Sequence, residues 1–162
     1  SEKKKNKKNK FSNEQIIYQA IELHLKGNIS EAAKYYQKLI SQGCNDHRVF
    51  SNYGAILQGQ GKLKDAEISY RKAIELKPDY VEAHCNLGNL LKDLEKFKDA
   101  EISTRKAIEL KPDFVEAYSN LGRILRELGK LEDAIICSEK IMDIRSWSIL
   151  GSYSFNNQLK LD

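Results

Sequence analysis

The side chains able to do chemistry in this 162-residue chain are few and scattered. His24, His47 and His84 stand far apart with no HxxxH or HExxH spacing, and Cys44, Cys85 and Cys137 form no CxxC pair. A metal site needs ligands converging from short, fixed offsets, so this set predicts no metal. No Gly-rich phosphate loop or nucleophile elbow occurs, and no histidine stands at an activating offset from Cys85, whose thiol reads as a spectator even if it faces a groove. The expectation is a non-enzyme without a cofactor. One set of polar residues does recur at a fixed interval: Asn52, Asn86 and Asn120. Each precedes an apolar residue (Tyr53, Leu87, Leu121), so the amide itself is not expected in the core. A primary amide offers two donors and an acceptor, which suits it to pairing with the N–H and C=O of another chain. The plainer alternative is a solvated residue copied by duplication, although helix surfaces favour Lys, Glu or Ala over Asn.

The elements that carry these amides repeat every 34 residues. Ser51-Asn52-Tyr53-Gly54, Cys85-Asn86-Leu87-Gly88 and Ser119-Asn120-Leu121-Gly122 keep that step, as do Asp65-Ala66, Asp99-Ala100 and Asp133-Ala134. Arg71 to Asp79 returns letter for letter as Arg105 to Asp113. Such a period predicts a helical solenoid. Each unit (13–46, 47–80, 81–114 and a fourth from 115) holds two stretches of helical periodicity around a turn at Gly27, Gly61, Glu95 or Gly129, giving eight expected helices. Pro78 and Pro112 end the second helix of their units. Asp79 with Glu82, and Asp113 with Glu116, have capping-box spacing, and Ser12 with Gln15 dates the first helix from about residue 13. Gly54, Gly88, Gly122 and Ala20 are expected to let helix axes approach, with Tyr36 and Tyr70 filling the space beside them.

The residues Phe50, Tyr53, Gly54, Leu57, Ala66, Tyr70, Ala73 and Pro78, then His84, Leu87, Gly88, Leu91, Ala100, Ala107 and Pro112, resemble the tetratricopeptide repeat (TPR) pattern. Units one and four are atypical, with Ala20 and Cys44 in the first and Ser138, Ile141 and Ser146 in the fourth. The wording of Ala83 to Lys92 is similar to the TPR arm of O-linked N-acetylglucosamine transferases. The resemblance implies an all-α, right-handed superhelical solenoid of four helix-turn-helix units over 13–146, plus a C-terminal capping segment, with a concave face that binds peptides. In the family the Asn52, Asn86 and Asn120 offset faces that groove. Neighbouring rungs would then lie about 10 Å apart, close to three residues of strand. A ladder of this kind grips backbone largely independent of sequence.

Other groove positions follow from the same helix face: Arg48, Ser51, Ala55 and Gln58; Glu82, Cys85, Asn89 and Lys92; Glu116, Ser119, Arg123 and Arg126. Lys92, Arg123 and Arg126 would make a basic end favouring carboxylates, or else pair with Asp93 and Glu127. In unit one, Ile17, Tyr18 and Ile21 would leave an apolar patch instead. The family's carboxylate clamp for chaperone tails needs Lys and Asn first, yet Ile17 and Ile21, or Ser51 and Ala55, occupy those places. Chaperone-tail binding is not expected.

The formal charge of +4 is uneven: residues 1–12 hold six lysines against Glu2, leaving the remainder near neutral. That stretch reads as a disordered basic leader, 1–12, with no nucleic acid expected as its partner because no Arg and only Phe11 accompany the lysines. Three cysteines on different repeats read as reduced thiols, pointing to the cytoplasm. No apolar run reaches the roughly 18–20 residues of a membrane span, and no signal-peptide core follows the lysines. A chain beginning with Ser rather than Met reads as trimmed or as a fragment. Residues 147–162, with Trp147, Ile149, Leu150, Tyr153, Phe155 and Leu159, break the repeat and need cover, as a cap or tail or as a docking surface for a second copy or a following domain. The reading is a non-catalytic protein- or peptide-binding scaffold. The alternatives are a substrate-presenting module of a larger transferase, a homo-oligomer formed through the C-terminal segment, and a tether acting through the lysines.

Overall fold

A computed structural model of the chain describes the backbone from residue 2 to residue 158 and side chains from 13 to 148. The described residues form eight helices and no strand: α1 Glu2–Leu25, α2 Ile29–Ser41, α3 His47–Gly59, α4 Leu63–Leu76, α5 Val81–Asp93, α6 Phe97–Leu110, α7 Val115–Glu127 and α8 Leu131–Gln158. The chain divides into two compact units, residues 1–86 and 87–162.

In the first unit α1 packs on α2, α3 on α4, and α2 on α3. Ile17, Ala20, Ala32, Tyr36, Leu39, Val49 and Ile56 form its core. Tyr70 is also buried, its ring against the backbone of Gly54, where an added Cβ would lie 2.9 Å from Cε1. In the second unit α6 packs on α7 and α7 on α8. Leu121, Leu125, Ala134 and Cys137 are buried together there, and Thr104 lies against Gly88 with its hydroxyl donating to the Ala100 carbonyl at 2.8 Å. Glu101 ties α6 to the α7–α8 turn, accepting from Lys130 at 2.8 Å and from Arg105 at 2.9 Å; the Lys130 hydrogen bond leads in holding its carboxyl below the ordinary range.

Helix ends follow local chemistry in most places. Gly27, Gly61 and Gly129 take positive φ after the first helix of their units, and Glu95 adopts φ 58° at the equivalent position of the third. That left-handed backbone costs a residue with a Cβ about 1 kcal/mol relative to glycine. The capping boxes at Asp79 and Asp113 do not form as the spacing suggests. Helix α5 starts at Val81, and the N-cap of α7 is Phe114, which has no side-chain cap hydrogen bond. Each Pro-Asp pair instead lies in a tight turn, with Tyr80 N–H bonding Lys77 O and Phe114 N–H bonding Lys111 O at 3.1 Å. Asp46, not singled out from the sequence, does cap α3, accepting from Arg48 N–H at 2.8 Å.

The two longest helices outrun the repeat. No Gly or Pro lies between Glu2 and Leu25, and α1 continues N-terminally past Ser12. Helix α8 is 28 residues long because Ser146 stands where Pro78 and Pro112 end α4 and α6. Up to Gln158 the segment after Trp147 is thus a continuation of α8, not a separate helix.

Candidate functional site

Within each unit the candidate face is formed by the first helices of its repeats, and every side chain in question follows from the register of the buried stripe. In the first unit, Asn52 and Asn86 are half-buried on α3 and α5. Asn52 lies beside the Tyr36 hydroxyl, which is buried without a hydrogen bond of good geometry. Burial pushes that phenol up to about 12, and the Asn52 amide opposes the shift. Gln58 accepts from the Tyr70 hydroxyl at 3.0 Å.

Arg48 is held by its own unit. Its guanidinium donates to Asp46 at 2.8 Å and to Glu14 at 2.9 Å, and it lies 5.4 Å from the centre of the Tyr18 ring. These partners raise its pKa, Asp46 first, so the group is a structural clamp between α1 and the start of α3. Ile17 is 2% exposed and belongs to the core, so no Ile17–Tyr18–Ile21 patch forms; only Tyr18 is exposed. Cys85 is likewise buried rather than presented on the face. Ser51, at the same offset on α3, is 2% exposed, so the buried stripe is one position wider than a 34-residue pattern alone resolves.

In the second unit, Asn89 and Lys92 are half-buried on α5, with Lys92 2.5 Å from the Asp93 carboxylate. Asn120 is 3% exposed, so it is a core-edge residue and not the surface amide that its neighbours suggested. Its Oδ1 accepts from Arg123 at 2.7 Å. Arg123 and Arg126 are both exposed on α7, and Arg126 has no acidic partner among the described residues. They rim an open cavity of about 750 Å³ between α7 and α8, floored by Gly122, Ala134, Ser138 and Ile141. Of the residues chosen from sequence, Asn120, Arg123 and Arg126 therefore come together; Arg48 is committed elsewhere.

Two contacts escaped the sequence reading. His84 Nε2 lies 2.8 Å from the Pro78 carbonyl, and the Tyr118 hydroxyl donates to the Pro112 carbonyl at 3.2 Å. Both ring groups pin the Pro-Asp turn ahead of their own helix, which requires the Nε2–H tautomer of His84. The signal was a polar ring six residues after each proline. No helix among the described residues is long and apolar enough to cross a membrane.

Several solved structures share this fold. A crystal structure of MamA superposes with a TM-score of 0.78 at 19% identity, covering 91% of this chain and 86% of that one. YrrB, described as a TPR protein with an unusual peptide-binding site, gives 0.70 at 21%, covering 85% and 71%. The first TPR of Spaghetti (RPAP3), bound to the HSP90 peptide SRMEEVD, gives 0.68 at 21%, covering 72% and 93%. No curated protein matches the chain at a significant level. The family model described as the Cilia and flagella-associated protein 70 middle TPR-like domain matches residues 18–153, most of the length, and with its paired helices and repeat-spaced small residues the chain belongs to that TPR-like family.

Proposed function

We propose that the chain is a non-catalytic scaffold that binds an extended, acidic stretch of a protein partner along its first helices. The observation that carries this reading is the pair of exposed guanidinium groups, Arg123 and Arg126, beside the Asn120 amide at the rim of an open cavity. Guanidinium groups bind carboxylates through paired, charge-assisted hydrogen bonds. Asn52 and Asn86 in the first unit, and Asn89 in the second, supply amides that satisfy peptide backbone. Asn120, 3% exposed, braces Arg123 through its acceptor oxygen and does not itself meet the peptide. Peptide binding by YrrB and by the Spaghetti TPR, proteins of the same fold, supports the ligand class. With Ile17 and Ile21 in place of the clamp residues, the reading points to an internal acidic stretch and not to a chaperone C-terminus.

Selection of random peptides displayed on phage against the whole chain tests this. Asp and Glu should be enriched among the binders, and Arg123→Glu with Arg126→Glu should weaken them at least tenfold, about 1.4 kcal/mol. Binders without acidic bias that hold the double variant equally well would contradict it.

A further inference from the structure

The cavity between α7 and α8 is made by what the fourth repeat lacks. In the second repeat the corresponding place is filled from within its own helix pair. The Tyr70 ring lies over Gly54, is 1% exposed, and donates its hydroxyl to Gln58 at 3.0 Å. Two repeats on, Gly122 keeps the glycine, but Ser138 stands at the Tyr70 position and Arg126 at the Gln58 position. Helix α8 has no aromatic residue before Trp147 to take the ring's place. A Cβ at Gly54 would lie 2.9 Å from the Tyr70 ring, whereas one at Gly122 would meet nothing nearer than Cys137 Cβ at 3.5 Å. The open space over Gly122 is therefore a property of the helix pair itself.

The mouth of the cavity has changed as well. Glu67 and Glu101, at one offset in the second and third repeats, are half-buried and accept from Arg71 and Arg105. Ile135 takes that offset in the fourth repeat and is 59% exposed, one turn from Leu131 at 61%. An apolar wall thus stands where the earlier repeats carry a paired carboxylate. With Gly122, Ala134 and Ile141 beneath, the cavity of about 750 Å³ is mainly apolar inside and carries Arg123 and Arg126 at its edge. That volume lies within the roughly 300–1,000 Å³ of sites that enclose small ligands.

We propose that this cavity receives an aromatic side chain of the bound segment, in the space that Tyr70 fills in the second repeat, while Arg123 and Arg126 pair with acidic residues flanking it. The proposal rests on the acidic-segment reading above and narrows it to an aromatic residue set between Asp or Glu. A ring buries apolar area against Leu131, Ile135 and Ile141, and its face attracts a guanidinium group. An aliphatic side chain gains the burial without that attraction, and a charged one loses hydration against an apolar wall. One aromatic anchor in a pocket commonly carries a large share of the energy of such a contact.

Fluorescence anisotropy with three labelled peptides tests this: a phenylalanine flanked by glutamates, the same peptide with alanine for the phenylalanine, and the phenylalanine peptide with glutamines for the glutamates. The wild-type chain should bind the first at least about tenfold more tightly than the second. Ser138→Tyr supplies a ring from α8, as Tyr70 does from α4, and should bring that ratio close to one while the alanine peptide binds as before. Ser138 is exposed, so folding is spared. Should that variant nevertheless lose helical circular dichroism, Leu131→Ser with Ile135→Ser, at two exposed positions, should cut the ratio at least about threefold. Equal binding of the first two peptides by the wild type overturns the proposal and leaves the acidic reading standing. A ratio that survives Ser138→Tyr, or in its place the two serine substitutions, overturns it too. A glutamine peptide that binds as tightly as the first sinks the acidic reading and keeps the ring seat, and failure of all three to bind contradicts both.

Discussion

Gly88→Ala is expected to destabilise the chain by about 2–3 kcal/mol, whereas Gly122→Ala at the same repeat position should be neutral or stabilising by up to about 1 kcal/mol. A Cβ at Gly88 would lie 2.1 Å from Thr104 Oγ1 and 3.2 Å from both Ala100 O and Thr104 N. The hydroxyl cannot simply turn away, because it is fully buried and bonded to the Ala100 carbonyl, and the other two atoms are backbone. At Gly122 the nearest atoms are Cys137 Cβ at 3.5 Å and Ala134 O at 3.7 Å, ordinary contact distances. The methyl group then fits, and the higher helix propensity of alanine is left as the net effect. Thermal denaturation separates the two, at roughly 2–4 °C for each kcal/mol in a chain of this length. Equal losses at both glycines would mean that the helix pairs pack alike, contrary to the distances.

Tyr70→Ala should cost about 3–5 kcal/mol, the largest single effect in the first unit. The ring is 1% exposed, lies over Gly54 and donates its hydroxyl to Gln58 at 3.0 Å. Removing it opens a cavity that the α3–α4 pair cannot close, because the remaining small residues, Ser69 and Ala73, are already buried. Tyr70→Phe keeps the volume and loses only the hydrogen bond, about 1 kcal/mol. Burial also holds the Tyr70 and Tyr36 phenols above their ordinary pKa. Below pH 10 both states are protonated and the contribution is complete. Above it the unfolded phenols ionise first, so stability falls as pH rises toward the folded-state values. Urea denaturation across pH 8 to 11, beside Tyr70→Phe, checks the size and the sign; a steeper alkaline loss in the phenylalanine variant would contradict the assignment.

The repeat made the architecture readable. Small residues at a step of 34, prolines at 78 and 112 and a turn residue at 27, 61, 95 and 129 each constrain local geometry, and all eight helices follow from them. What the period could not show is what differs between copies. Arg48 reads as a groove cation until Glu14 and Asp46 are seen to hold it, a contact across a full repeat. Ile17, Ser51 and Cys85 share an offset that reads as exposed, yet all three are buried. Asn120 is sealed in while Asn52 and Asn86 are half-buried, and Arg123 folded over the former is the visible difference. The absent proline at Ser146 was visible; its consequence, an uninterrupted α8, needed the coordinates.

The central claim is that amides on successive first helices hold a peptide by its backbone. It is tested most directly by titrating a selected acidic peptide into the wild-type chain and into Asn52→Ala/Asn86→Ala, after matching their circular dichroism. Two lost amide contacts at about 0.5–1.5 kcal/mol each predict an affinity about tenfold weaker. Unchanged affinity in the double variant would contradict the ladder and leave the two arginines as a charged surface without a backbone grip.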